Sequence, residues 1–220
     1  MSWQSTIDYY RIINNEVNKR LGGIHSARIV LYSVNFEEIM EMHRNKPEEM
    51  INYIIQICMK IEKSGAELLL LCSNTVHFFA EKIIENISIP LLHIIDATLL
   101  KINEYGITRI GLLGTRITME QDFYRNYLTK RGIDTLIPEE SEREYIESLI
   151  FNELFFGVIR NESKLKMLDI IHNLTEKGAE GVILGCTELP LLIKQEDLKC
   201  PVFDTTNIHA MNAVDMALQI

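Results

Sequence analysis

Residues 178–188 (GAEGVILGCTE) repeat the order of residues 65–75 (GAELLLLCSNT). Each stretch begins with Gly-Ala-Glu, continues through an apolar run typical of a strand, and ends in small polar residues. Ser73 and Cys186 stand eight positions after the first glycine of their own stretch. Because both copies keep this spacing, the pattern indicates a duplicated structural unit.

A second pair of matching stretches supports the duplication. Residues 8–11 (DYYR) match residues 122–125 (DFYR), and they precede the two longer stretches in the same order. The second copy opens with an apolar strand at 109–113, but aligning the pair places Met1 on Thr115. We therefore expect the first half to lack its opening strand, either because this sequence is trimmed or because the half folds without it.

Apolar runs alternate with amphipathic stretches along the chain, which is typical of a parallel sheet covered by helices. The predicted strands are Ala27–Val34, Glu67–Cys72, Leu91–Ile95, Arg109–Leu113, Gly181–Leu184 and Val202–Asp204. The predicted helices are Pro47–Ser64, Thr118–Arg131, Lys164–Lys177 and Ile208–Leu218. The predicted fold class is α/β, with two pseudo-symmetric domains of parallel-rich sheets flanked by helices and an active site between them. The predicted domains are residues 1–98 with the C-terminal helix 208–220, and residues 99–207.

The composition excludes several classes of function. The 220 residues carry 31 acidic and 22 basic side chains, a formal net charge of −9, which disfavours binding to nucleic acids or anionic membranes. No apolar run approaches 18 residues, and the first residues lack the pattern of a signal peptide. The four cysteines show no zinc-site spacing. We expect reduced thiols, a cytoplasmic protein, and no metal or other cofactor.

The repeat also locates the candidate chemistry. Ligands of parallel sheets collect at the carboxyl ends of the strands, where the repeat places both Ser73 and Cys186. If the halves face each other about a pseudo-twofold axis, these side chains confront each other across a cleft. Backbone N–H groups of the following residues, Asn74-Thr75 and Thr187-Glu188, can then bind a carboxylate.

These motifs resemble the aspartate/glutamate racemase superfamily over essentially the whole chain. The matching stretches are Met1–Thr6, Ser73–His77, Gly111–Thr115, Gly185–Glu188, Asp204–Thr206 and His209-Ala210. The resemblance implies a cofactor-independent racemase of two similar α/β halves that pairs as a homodimer and binds a small-molecule amino acid. It also implies two catalytic cysteines, one removing the α-proton of the substrate and the other returning a proton to the opposite face.

This sequence departs from the superfamily pattern at one catalytic position. Ser73 stands where the resemblance implies the first cysteine, and Cys72 lies one residue early, on the other side of a strand. A hydroxyl is a much weaker acid than a thiol, so Ser73 can donate or relay a proton but is a poor resting base. We therefore expect Cys186 to deprotonate one enantiomer well, and relatives with threonine at this position imply a preference for L-aspartate and L-glutamate.

The resemblance assigns the remaining contacts to the substrate. Glu188 resembles the aspartate branch, and a second substrate carboxylate needs a cation, for which His43, Arg44 and Arg160 are the candidates. The full set of expected substrate-binding residues is Asn74, Thr75, Thr115, Thr187, Glu188, His43, Arg44 and Arg160.

Simpler interpretations stay open for these residues. Cys186 can be a buried apolar residue, and Ser73 a hydroxyl that only caps a helix. His77 and His209 are expected to be hydrogen-bonded structural residues.

Two rival functions also stay open. One is a lyase that resembles superfamily decarboxylases in keeping only the second cysteine. The other is a non-catalytic amino-acid-binding protein.

Overall fold

The computed structural model of the chain describes residues 2–219. These residues form two compact units: unit 1 comprises residues 2–93 and 209–219, and unit 2 comprises residues 94–208. The division predicted at residue 98 falls inside a helix of unit 2, and the functional domain boundaries stay a prediction.

Unit 1 has a two-stranded parallel sheet with helices on it. Strand β1 (Leu69–Leu70) pairs with β2 (Leu91–Leu92), so that Leu69 lies opposite Leu91. The helices of this unit are α1 (Trp3–Leu21), α2 (Phe36–Asn45), α3 (Pro47–Lys63) and α4 (Ala80–Ile84), and a 3-10 turn spans Thr75–Phe79. The core lies between β1 and the helices α2, α3 and α4, and it includes Ile39, Met50, Ile54, Leu69 and Ile83.

Unit 2 has a four-stranded parallel sheet with the order β4-β3-β5-β6. Its strands are β3 (Arg109–Leu113), β4 (Asp134–Leu136), β5 (Val182–Leu184) and β6 (Val202–Asp204). Its helices are α5 (Ile94–Glu104), α6 (Arg116–Glu120), α7 (Asp122–Thr129), α8 (Glu140–Asn152), α9 (Asn161–Glu176) and α10 (Leu189–Leu192). Two 3-10 turns span Leu154–Phe156 and Gln195–Asp197. The last helix, α11 (Thr205–Leu218), begins in unit 2 and belongs to unit 1 from His209 onward.

The sheet of unit 2 is buried on both faces, as expected for a parallel sheet. Val182 and Leu184 pack into a cluster with α8 and α9, whereas Ile183 packs into a separate cluster with α5 and α7. All three side chains are fully buried. Alternate residues of β5 therefore build two apolar cores, which explains why the strand sequence is apolar throughout.

Local sequence signals explain several helix ends. The Ser2 hydroxyl accepts a hydrogen bond from the Ser5 N–H at 3.2 Å and so caps α1. Helix α1 ends before Gly22, whose φ of 74° favours glycine. Pro47 occupies the first turn of α3, where its missing N–H costs nothing.

Several predicted elements are confirmed and others are wrong. The bounds of β3 and β6 agree with the predictions, and α3 begins at the predicted Pro47. The strand predicted at Leu91–Ile95 ends at Leu92, because α5 begins at Ile94. The helix predicted at 118–131 is divided at Gln121, whose ψ of 142° is extended.

The strand predicted at Ala27–Val34 is wrong. These residues pair with no strand in the described part of the chain. The physical reason is that an apolar, β-branched sequence becomes a strand only when a neighbouring strand pairs with its backbone groups.

No helix among residues 2–219 is long and apolar enough to cross a membrane.

Candidate active site

Cys186 lies directly beyond the carboxyl end of β5, where the strand approaches its neighbour closely. The N–H of the preceding residue, Gly185, donates a hydrogen bond to the Leu113 carbonyl of β3 at 2.6 Å. A Cβ atom at Gly185 would lie 2.8 Å from that carbonyl oxygen, which leaves no room for a side chain. The glycine therefore allows the close strand pairing that fixes the backbone before Cys186.

Cys186 belongs to a buried hydrogen-bonded cluster with the next two residues. The Cys186 thiol donates to Glu188 Oε2 at 3.0 Å, and the Thr187 hydroxyl donates to the same oxygen at 2.7 Å. Cys186 is 7% exposed, Thr187 7% and Glu188 2%. Burial, and then the neighbouring Glu188 carboxylate, raise the pKa of the Cys186 thiol well above its usual value. The resting form of Cys186 is therefore a thiol hydrogen-bonded to a carboxylate.

Further hydroxyl groups fix the strand ends of unit 2. The Thr205 hydroxyl donates to the Leu184 carbonyl at 2.8 Å and so ties the start of α11 to the end of β5. The hydroxyls of Thr115 and Thr118 lie 3.2 Å apart at the start of α6. Thr115 is thus held at the carboxyl end of β3, while Cys186 follows β5 in the same sheet.

Ser73 lies at the corresponding place in unit 1, beyond the carboxyl end of β1. Its N–H donates to the Leu71 carbonyl at 2.7 Å, and its carbonyl accepts a hydrogen bond from Nδ1 of His77 at 2.8 Å. The 3-10 turn begins at Thr75, directly after the buried Asn74. Cys72 directly precedes Ser73, and burial raises the pKa of its thiol to about 11.

A buried network of aromatic and histidine side chains supports the Ser73 loop. His209 Nε2 donates to the Leu92 carbonyl at 2.9 Å, so its Nδ1 carries no proton and accepts from the Tyr9 hydroxyl at 2.7 Å. The rings of His77 and His209 are 5.7 Å apart, and that of His93 is 4.8 Å from His77. Burial lowers the pKa of His209 to about 4 and that of His77 well below its usual value. Both histidines are hydrogen-bonded, as the sequence predicted, and their lowered pKa values favour the neutral forms.

Sequence reasoning missed Tyr9, although the repeat contains a signal for it. Tyr9 aligns with Phe123 in the second copy, so the first copy carries a hydroxyl that the second lacks at this position. It also missed the hydrogen bond between Cys186 and Glu188. A spacing of two residues does not predict such a contact, because its geometry depends on the turn between β5 and α10.

The three cationic candidates for the second substrate carboxylate lie on α2 (His43 and Arg44) and directly before α9 (Arg160). Arg44, on α2, pairs with Glu37 at 2.9 Å and is 56% exposed. Arg160 precedes α9, pairs with Glu153 at 3.8 Å and is 64% exposed. His43, next to Arg44, is half-buried. Exposed ion pairs of this kind are weak, and neither arginine is held in a buried site.

The remaining cysteines occupy different surroundings. Cys58 is 2% exposed in the apolar core of unit 1, and burial raises the pKa of its thiol to about 11. Cys200 is half-buried before β6. Residues 2–219 contain no group of three or more histidine, cysteine or acidic side chains placed to hold a metal ion.

Comparisons with known proteins match most of the chain. A candidate Asp/Glu racemase from Yersinia pestis is 45% identical, with a TM-score of 0.93 over 100% of this chain and 96% of that one. An aspartate racemase homologue from Pyrococcus horikoshii OT3 is 33% identical, with a TM-score of 0.84 over 98% of this chain and 94% of that one. The broad specificity amino-acid racemase RacX of Bacillus subtilis is 24% identical over 175 residues, covering 78% of this chain and 74% of the relative. The two parallel sheets match the two-domain α/β fold of these racemases. The model of the Asp/Glu/hydantoin racemase family matches residues 1–213, and the chain belongs to that family.

Proposed function

We propose that the chain is a cofactor-independent racemase of acidic amino acids, which moves a proton at the α-carbon. The observation that supports this most strongly is the buried cluster of Cys186, Thr187 and Glu188 at a strand end, in a chain of this family. A thiol in contact with a carboxylate can exchange its proton locally, which proton transfer at carbon requires.

In this mechanism Glu188 activates Cys186. The thiol passes its proton to the Glu188 carboxylate along their 3.0 Å hydrogen bond, and the thiolate then removes the α-proton of the substrate. The Thr187 hydroxyl, bonded to the same carboxylate oxygen, stabilises the charged form of Glu188 before the transfer. The substrate becomes a carbanion, Cys186 is again a thiol, and Glu188 holds one extra proton.

Ser73 supplies the proton to the opposite face of the carbanion, directly or through a water molecule. The proton held by Glu188 then returns to the Ser73 oxygen through solvent, which completes the cycle without net loss of protons. Since the serine hydroxyl is a weak acid and a poor resting base, Cys186 removes the α-proton of one enantiomer faster than Ser73 removes that of the other. We assign that direction to the L enantiomer.

The proposed substrates are aspartate and glutamate. Asn74, Thr75, Thr115 and Thr187 are the residues proposed to bind the α-carboxylate, through hydroxyl, amide and backbone N–H groups. The second substrate carboxylate pairs with Arg44 or Arg160, assisted in the first case by His43. The free thiols support a reducing, cytoplasmic location, and the family resemblance supports a homodimer.

The test incubates the protein with single enantiomers from a panel of acidic and neutral amino acids. Chiral chromatography measures the racemisation of each one. The expected result is racemisation of aspartate or glutamate by the wild type and by Cys200→Ala, and a loss of about 100-fold or more in Cys186→Ala. Cys200→Ala is the matched control, because it removes a thiol outside the proposed machinery. Binding of amino acids without any racemisation contradicts the proposal and indicates the non-catalytic binding protein.

The raised pKa of Cys186 also favours a second candidate, a lyase that protonates from one face. In such a reaction the bond to a carboxylate group of a substituted malonate breaks as CO2 leaves. The electron pair stays on carbon, and the Cys186 thiol donates its proton there. Release of CO2 from arylmalonates, with no racemisation of amino acids, would identify this function instead.

A further inference from the structure

The loop that carries Ser73 is held at three consecutive carbonyl groups, two of them by side chains. The Ser73 N–H donates to the Leu71 carbonyl at 2.7 Å. The Ser5 hydroxyl, on α1, donates to the Cys72 carbonyl at 3.0 Å. Nδ1 of His77 lies 2.8 Å from the Ser73 carbonyl oxygen. Because the loop lies beyond the end of β1, these contacts orient it in place of the hydrogen bonds of a strand.

The contact from His77 requires one particular form of its ring. A carbonyl oxygen only accepts hydrogen bonds, so Nδ1 of His77 carries a proton and donates it to the Ser73 carbonyl. His77 is 3% exposed, and burial lowers its pKa well below the usual value, which favours the neutral ring with a single proton. In that form Nδ1 holds this proton, and His77 is a hydrogen-bond donor of fixed tautomer.

The ring of His77 is itself held in place. The edge-to-face contact with His209 has a centroid distance of 5.7 Å, and the His209 ring is fixed at both nitrogens by Tyr9 and the Leu92 carbonyl. The His77 backbone N–H donates to the Asn74 carbonyl at 3.0 Å, within the same turn. The ring therefore cannot leave the Ser73 carbonyl without disturbing a buried network.

The second copy of the repeat lacks this arrangement. Because Cys186 aligns with Ser73, the position of His77 is taken by Pro190, which has no side-chain donor. The backbone before Cys186 is fixed instead by the strand contact at Gly185. The imidazole donor thus belongs only to the half of the repeat whose proton-transfer group is a hydroxyl.

We infer that His77 is a positioning residue for Ser73, whose carbonyl it holds and whose hydroxyl it thereby aims at the substrate. The inference rests on the proposed function, in which Ser73 supplies a proton to the carbanion. Since the carbonyl and the hydroxyl belong to one residue, rotation of the peptide group after Ser73 displaces the hydroxyl. A displacement of about 1 Å at a reacting group can cost about 100-fold in rate. His77 gains and loses no proton in this role.

The test compares three variants of the full chain. His77→Asn keeps an amide N–H close to the place of Nδ1, whereas His77→Gln moves the amide toward the place of Nε2. His25→Gln is the matched control, because it makes the same change at an exposed histidine of unit 1. Each protein is assayed for racemisation of L-aspartate and L-glutamate and for exchange of their α-protons in D2O, and urea unfolding measures its folded fraction.

The expected result is a change in the ratio of the two rates. His77→Gln lowers racemisation by about 10- to 100-fold but changes exchange of the L enantiomer by less than about threefold, because Cys186 removes that proton. His77→Asn and His25→Gln keep the wild-type ratio of racemisation to exchange within about threefold. A merely structural role lowers both rates together with the folded fraction, so an unchanged ratio in His77→Gln overturns the inference.

Amide hydrogen exchange at Ser73 separates this inference from the proposed function. Because the Ser73 N–H is bonded to the Leu71 carbonyl, its exchange is expected to be about 10-fold faster in His77→Gln and unchanged in His77→Asn. If the wild type racemises no acidic amino acid, the proposed function fails, and faster exchange in His77→Gln still supports His77 as the residue that holds the loop. Unchanged exchange at Ser73 in His77→Gln overturns the inference whether or not the wild type is active.

Discussion

Replacing Tyr9 by phenylalanine tests the buried network beneath Ser73. Tyr9 is 2% exposed and His209 0%, and the bond between the Tyr9 hydroxyl and His209 Nδ1 is 2.7 Å long. The other nitrogen of His209 is engaged with the Leu92 carbonyl, so the ring cannot turn to satisfy Nδ1 elsewhere. Tyr9→Phe keeps the ring and leaves a buried acceptor without a donor. The expected loss in the free energy of unfolding at neutral pH is about 1–3 kcal/mol, which is roughly 5- to 150-fold in the unfolding equilibrium.

The assay is urea unfolding followed by the fluorescence of Trp3, the single tryptophan, which lies on α1 together with Tyr9. Tyr10→Phe is the matched control, because this neighbouring tyrosine is 54% exposed, and its expected effect is within about 0.5 kcal/mol. If Tyr9→Phe is no less stable than Tyr10→Phe, the network does not stabilise unit 1 and the reasoning is refuted.

Three further predictions follow from the buried groups. Because the pKa of His209 falls from 6.5 to about 4 on folding, the unfolded chain binds more protons than the folded chain between these pH values. The free energy of unfolding, measured in urea, is therefore expected to decrease by roughly 3 kcal/mol as the pH falls through this window. A constant free energy of unfolding from pH 7 to pH 4 would contradict this. Glu188→Gln removes the charge beside Cys186, so the pKa of the Cys186 thiol is expected to fall. The measurement is a pH titration of thiolate absorbance, with Cys186→Ala as the control that lacks this thiol. An unchanged titration midpoint would show that Glu188 does not control the thiol. Gly185→Ala places Cβ 2.8 Å from a carbonyl oxygen of β3 and is expected to lower the free energy of unfolding by about 1–3 kcal/mol, measured by thermal or urea unfolding. Gly111→Ala is expected to lower it less, because the closest atoms there are side-chain atoms 3.1 Å away. Equal losses would argue against the strand contact.

The sequence predicted the parts of the fold that depend on local pattern and on duplication. The β3 and β6 strands are apolar runs bounded by polar residues or proline, so their bounds agree with the structure. The repeat also identified Ser73 and Cys186 as equivalent positions beyond strand ends, because a fixed spacing within a duplicated unit is visible without coordinates.

Other features depend on partners distant in sequence. Segment 27–34 has the composition of a strand, yet strand formation requires a neighbour that the described chain does not provide. The contact between Tyr9 and His209 joins residues 200 positions apart, which no local pattern encodes. The carboxylate of Glu188 reaches the Cys186 thiol only through the turn after β5, so its proposed role in activating that thiol arises from the structure.

The most direct measurement of the central claim is exchange of the α-proton in D2O, followed by nuclear magnetic resonance for each enantiomer separately. The account assigns removal of the proton from L-aspartate or L-glutamate to Cys186, and reprotonation of the opposite face to Ser73. It predicts that Ser73→Ala still exchanges the α-proton of the L enantiomer while racemisation is lost, and that Cys186→Ala loses exchange of the L enantiomer. Undiminished exchange of the L enantiomer by Cys186→Ala would contradict the account.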